Sequence, residues 1–74
     1  MTENYSPLRH IRENVFGANQ KAFAQMIGTT QATVSRIETG EIGLTDARKK
    51  RIKREADKRG RELDFSLFFE PPAS

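Results

Sequence analysis

The side chains of this chain that can do directed chemistry crowd into one stretch, Asn19 to Gly40, which reads NQKAFAQMIGTTQATVSRIETG. Gln31 offers an amide that donates and accepts at once, Arg36 a planar fork of donors, and Thr30, Thr33, Ser35 and Thr39 hydroxyls. These groups hold a ligand by hydrogen bonds and break no bond in it. Nothing around them forms a recognisable catalytic set. The one histidine, His10, has no partners for a triad, no glycine-rich phosphate loop is present, and the acids are spread along the chain. With no cysteine there is no disulfide and no zinc constellation. The sequence therefore implies no catalytic residue, no cofactor and no metal.

Short helices must position these groups. Ser6 as N-cap and Pro7 at the first helical position announce a helix over about Pro7 to Val15, with Leu8, Ile11 and Val15 on its buried face and Gly17 as its stop. Asn19 caps a second, Gln20 to Ile27, which turns Phe23, Ala24 and Ile27 inward and Lys21 and Gln25 outward. Ala24 is small where two steeply crossing helices come closest, a place a Leu would wedge open. Gly28 ends this helix, and Thr30 caps a third, Gln31 to Glu38. There Val34 and Ile37 face the core, and Gln31, Ala32, Thr33, Ser35 and Arg36 are left outside. After a loop over Glu41 to Leu44, Thr45 and Asp46 start a fourth helix, from Ala47 to Arg59, whose only apolar stripe is Ile52 with Ala56. Gly60 stops it. Leu63, Phe65, Leu67, Phe68 and Phe69 form an apolar C-terminal cluster, Asp64 can cap a last short turn, and Pro71-Pro72 ends the ordered chain.

At 74 residues the expectation is one domain over 1–74, with its core in about 7–69 and flexible ends at 1–5 and 71–74. A chain this short buries only about 60% of its unfolded surface. Apolar residues make up 35% and charged residues 31%, which fits a compact helical unit. No apolar run approaches the ~20 residues of a membrane span and the N-terminus lacks signal-peptide character, so a cytoplasmic protein with no membrane partner is expected. The net charge of +3 is uneven. Residues 48–61 hold nine Lys or Arg against Glu55 and Asp57, while residues 1–47 hold four basic residues against five acids and the tail adds Glu62, Asp64 and Glu70.

The spacing of Gln20, Ala24, Gly28, Val34, Ser35, Ile37, Glu38 and Gly40 resembles the lambdoid phage repressor and Cro family of helix-turn-helix (XRE-like) proteins, over roughly residues 7–56. The resemblance implies an all-α, compact five-helix repressor-like domain whose helix-turn-helix is formed by helices 2 and 3. In that family the second helix of the motif enters the major groove of DNA. Carried over, Gln31 reads a base, its amide matching adenine N6 and N7; Ala32 and Thr33 offer methyl groups to thymine, and Arg36 can meet guanine. Gln20 would contact a phosphate and hold the Gln31 amide, and Asn19, Thr30 and Thr39 fall at phosphate-contacting positions. Ala24, Gly28, Val34 and Ile37 are the structural positions. Each polar residue also has a plainer role open to it, as solvated surface, as a cap, or, for Arg36, as partner to a neighbouring acid.

The family often pairs the glutamate at Glu38 with an arginine of helix 1. Arg12 is the expected partner and Arg9 the substitute, because the segment Arg12 to Gln20 is one residue longer than the usual pattern, through Phe16. Many relatives carry Lys or Arg after helix 3, where this chain has Glu41-Ile42-Gly43. Phosphate contacts there would fall to the backbone N–H groups of Ile42 and Gly43 and, from composition, to Arg48 and Lys49.

The expected function is that of a sequence-specific regulator of transcription, bound to double-stranded DNA as a homodimer on a near-palindromic operator, at the nucleoid. The Leu63–Phe69 cluster either closes the core or meets a partner. Two alternatives stand beside this: an antitoxin that autoregulates through the same motif and holds a toxin by its Phe-rich tail, and nonspecific nucleic-acid or RNA binding through the basic helix.

Overall fold

The computed structural model describes residues 5–71, and among them the chain forms helices joined by tight turns and no strand. α1 covers Pro7–Ile11 and runs on without a break into a π-helical segment, Arg12–Phe16. α2 is Gln20–Met26, α3 Gln31–Glu38 and α4 Asp46–Lys58, and a 3-10 turn follows at Phe65–Phe68. Five helices are expected from the resemblance. Four α-helices are found, and the fifth element is a single 3-10 turn whose Phe68 docks on the core.

The first helix departs from expectation at both ends. Ser6 takes the N-cap position in extended backbone, but its hydroxyl accepts no cap hydrogen bond and lies buried without a partner among the described residues. At the other end the helix widens. The Arg12 carbonyl accepts from the N–H of Gly17 and, at 3.2 Å, of Ala18, the long reach of a π turn. The residue in excess of the usual spacing is thereby absorbed inside the helix. Phe16 then points inward at 6% exposure and meets Phe23 edge to face, ring centroids 5.1 Å apart.

Three of the expected caps form as the residue types require. Asn19 Oδ1 accepts from the N–H of Ala22, Thr30 Oγ1 from Thr33 and Thr45 Oγ1 from Arg48, at 2.8 to 3.2 Å. α2 closes with the Thr29 N–H on the Ala24 carbonyl at 2.9 Å, and Gly28 takes φ +71°, a left-handed backbone that L side chains resist. A Cβ at Gly28 would also lie 3.4 Å from the Arg51 guanidinium, so α4 packs against this turn.

Leu8, Ile11, Phe16, Phe23, Ala24, Ile27, Val34, Ile37, Ile52, Ala56, Leu63 and Phe68 form one core cluster. Burying each larger member contributes about 1.5–3 kcal/mol. α4 buries more than Ile52 and Ala56. Glu55 is only 7% exposed, with Lys58 and Arg59 each 3.6 Å and Arg51 3.9 Å from its carboxylate. Three cations make up for the water that this acid loses.

Of the ends expected to be flexible, residues 1–4 and 72–74 lie outside the described residues. Tyr5 is tied down: its hydroxyl donates to the Leu67 carbonyl at 2.8 Å, and burial pushes the phenol's pKa up. The 3-10 turn is capped by Asp64, whose Oδ1 accepts from the Ser66 N–H at 3.0 Å, and this bond holds the carboxyl below its ordinary value. No helix among the described residues is long and apolar enough to cross a membrane.

Candidate nucleic-acid interface

α2 and α3 are held at a fixed angle by Ala24, 2% exposed, with Phe23 and Val34 beside it fully buried. That packing leaves the other side of α3 to solvent. Gln31, Ala32 and Arg36 are exposed there, and Thr33 is half-buried. The four proposed readers thus share one short helix, but their side chains are not equally free. The Thr33 hydroxyl lies 2.8 Å from that of Thr30, so it is engaged with the cap. Arg36 leans on Glu41, Nε to Oε2 3.5 Å, an exposed pair that water and a competing acceptor can open.

Beneath this face sits a polar cluster. Arg12 donates from Nε to Glu38 Oε2 at 2.6 Å and from Nη2 to Oε1 at 3.1 Å, a bidentate pair with both side chains nearly buried. Its third nitrogen, Nη1, donates to the Ala18 carbonyl at 2.9 Å. These bonds to Glu38 hold the Arg12 pKa above its ordinary value in spite of burial. Arg9 reaches Glu13 instead, at 3.4 Å. The π turn therefore does more than store a residue, because it keeps Arg12 opposite Glu38 while the chain between Arg12 and Gln20 is lengthened.

Gln20 joins the same cluster. Its amide nitrogen donates to Glu38 Oε1 at 3.1 Å, so its described bond goes to Glu38 and not to Gln31. No spacing rule within one element foretells a contact between α2 and the far end of α3. The remaining donors at the positions expected to meet phosphate can be counted. Asn19 uses its oxygen as the cap and keeps its NH2 group outward; Gln20 keeps one N–H; Thr30 and Thr33 share two hydroxyl hydrogens, of which one joins them and one is left.

Three expected donors are already engaged. The Ile42 N–H is bonded to the Arg36 carbonyl at 3.3 Å, beside that of Glu41 at 2.9 Å, because the end of α3 must satisfy its last carbonyls. The Thr39 hydroxyl donates to the same carbonyl at 3.2 Å. Of the two loop amides only that of Gly43 has no hydrogen bond among the described residues. Lys49 is turned away from solvent: its ammonium sits 3.6 Å from Asp46 and 4.4 Å from the centre of the Phe69 ring, with the side chain 14% exposed. Arg48 is half-buried and has no acid partner among the described residues, as is true of the exposed Lys50 and Arg54.

Among the described residues no group of His, Cys, Asp or Glu side chains could hold a metal ion. Comparison with curated proteins and with solved structures finds no match. Comparison with protein families does: the model described as helix-turn-helix matches residues 8–55, which spans α1 to most of α4 and includes the whole Arg12–Glu38–Gln20 cluster. The chain belongs to this helix-turn-helix family, whose members are DNA-binding transcription regulators.

Proposed function

We propose that this chain is a single-domain, sequence-specific regulator of the Cro and repressor kind, reading double-stranded DNA with α3 and acting as a homodimer on a near-palindromic operator. The observation that carries the reading is the exposed face of α3. Gln31, Ala32 and Arg36 stand clear of the core on a helix capped at its start and tied by Glu38 at its end. Gln31 takes adenine through N6 and N7, Arg36 leaves Glu41 for guanine, and the methyls of Ala32 and Thr33 meet thymine. Asn19, Gln20, Thr30, Gly43 and Arg48 supply the phosphate donors, while Ile42, Thr39 and Lys49 contribute only if their present bonds open. A single small domain contacts few bases, so two half-sites about one helical turn apart are required for a useful specificity ratio.

The test is selection of bound sequences from a random DNA pool with the wild type and with Gln31→Ala. The variant is expected to lose ~1–3 kcal/mol of discrimination at one half-site position and to keep its preferences elsewhere. An unchanged selected motif would remove α3 from the role of reader. Binding with no sequence preference by the wild type would favour the nonspecific nucleic-acid reading instead.

A further inference from the structure

α4 turns one face to the core and the opposite face to solvent. Ile52 and Ala56 are fully buried, while Ala47, Lys50, Arg51, Arg54 and Lys58 are exposed at the three- and four-residue spacing of a single helix face. All of these but Ala47 are cations. The acids of the helix leave this charge unbalanced. Asp46 lies 3.6 Å from Lys49 and Asp57 2.7 Å from Lys53, and Glu55 is buried beneath the face, 3.9 Å from Arg51 and 3.6 Å from Lys58. Lys50 and Arg54 have no acid partner among the described residues.

Arg54 stands at the centre of this charge. Lys50 comes four residues before it, Arg51 three before and Lys58 four after, and like charges at these spacings on a helix repel. A helix that serves only to close the core gains nothing from that repulsion. A bound polyanion removes it. The chemistry of the face also separates nucleic acid from polypeptide. A protein interface is built around an apolar, often aromatic centre, and here Ala47 is the one apolar side chain on the face. A nucleic-acid backbone needs no such centre, since its phosphates are held by cations with release of condensed counterions.

α3 packs most closely on α2 and α1, and α4 meets the α2–α3 turn from outside, its Arg51 guanidinium beside Gly28. Arg48, the α4 residue proposed above as a phosphate donor to the duplex under α3, comes two residues before Lys50. At 3.6 residues per turn two such residues point to nearly opposite sides of a helix. The face of Lys50 and Arg54 therefore looks away from that duplex. We infer that Lys50 and Arg54, with Arg51 and Lys58 beside them, hold the phosphates of a second segment of double-stranded DNA, without regard to its sequence. This rests on the reading of DNA by α3 proposed above, and it makes each copy of the chain a bridge between two segments.

The test binds the full chain to an immobilised duplex carrying one selected half-site and adds a labelled duplex of unrelated sequence. Wild type is expected to capture the labelled duplex at about 50 mM salt and to release it at about 200 mM. Arg54→Glu should weaken that capture about tenfold or more, and Lys50→Ala should reduce the slope of log capture affinity against log salt by about 0.9. Both variants should keep wild-type affinity for the immobilised half-site. Arg54→Glu should also melt no lower than wild type, because its new carboxylate sits among Lys50, Arg51 and Lys58. Capture that survives Arg54→Glu overturns the face, and so does a wild type that captures nothing. Equal losses of capture and of half-site affinity in Arg54→Glu overturn the second segment, because these side chains then serve the duplex that α3 reads. If wild type binds no half-site at all, the reading by α3 fails instead, and capture between two duplexes of unrelated sequence still judges the face.

Discussion

Glu38 is an acid on the underside of the proposed DNA-facing surface, and its place there follows from what it holds. It takes two bonds from Arg12 and one from Gln20. Because a carboxylate only accepts, the Gln20 amide must turn its nitrogen to Glu38, and its polarity is thereby fixed. The buried pair specifies geometry more than it adds net stability. Removing one partner is a different matter. Glu38→Leu leaves the Arg12 charge with only the half-exposed Glu13, 3.7 Å away, and Arg12→Met leaves Glu38 without its cation; each should cost about 3 kcal/mol in urea unfolding, while the double variant recovers most of that loss. Equal, additive losses in the double variant would mean the pair is not the unit. The family resemblance supplied Arg12 and Glu38 from the sequence, with Arg9 as the alternative. For Gln20 the resemblance implies a phosphate contact and a hold on the Gln31 amide, and nothing in residue type says that an amide at the start of one helix will find an acid at the end of the next.

At the scale of elements, the capping residues were legible because their signal is local. Asn19, Thr30 and Thr45 each bond an N–H three residues on, a contact that residue type and position alone foretell. Ser6 carries the same signal, but its hydroxyl is buried with no partner among the described residues. The two cases should separate under mutation. Thr30→Ala and Thr45→Ala should each cost about 1 kcal/mol of stability. Ser6→Ala should cost nothing or stabilise slightly, because it removes a buried polar group that has no bond to lose. Thermal melts of the three variants give the comparison, and a loss at Ser6 equal to that at Thr30 would show that Ser6 caps in solution. The π turn was not legible. The excess of one residue was visible at Phe16, but no side chain announces that a helix will widen to hold it; that outcome is set by Phe16 reaching Phe23 and Arg12 reaching Glu38 at once.

For the whole molecule, the sequence shows where positive charge is concentrated but not which charges are free. Of the basic residues on α4 and at its C-cap, Lys53 is held by Asp57 at 2.7 Å, Lys58, Arg59 and Arg51 by Glu55, and Lys49 by Asp46 and the Phe69 ring. A count of Lys and Arg treats all of them alike. The pairings make them unequal, and ionic strength reads the difference. Each phosphate neutralised by a free cation adds about 0.9 to the slope of log affinity against log salt concentration. If Arg48 meets a phosphate, Arg48→Ala should weaken binding to every sequence and reduce that slope by about 0.9. Lys49→Ala should change the slope much less, because its ammonium already has an acid and an aromatic ring and must give up both to reach DNA. Gln31→Ala should leave the slope where it is, since a base contact releases no condensed counterion. Affinities measured between about 50 and 200 mM salt resolve these cases. Equal slopes for Lys49→Ala and Arg48→Ala would mean that Lys49 leaves Asp46 and the Phe69 ring when DNA binds.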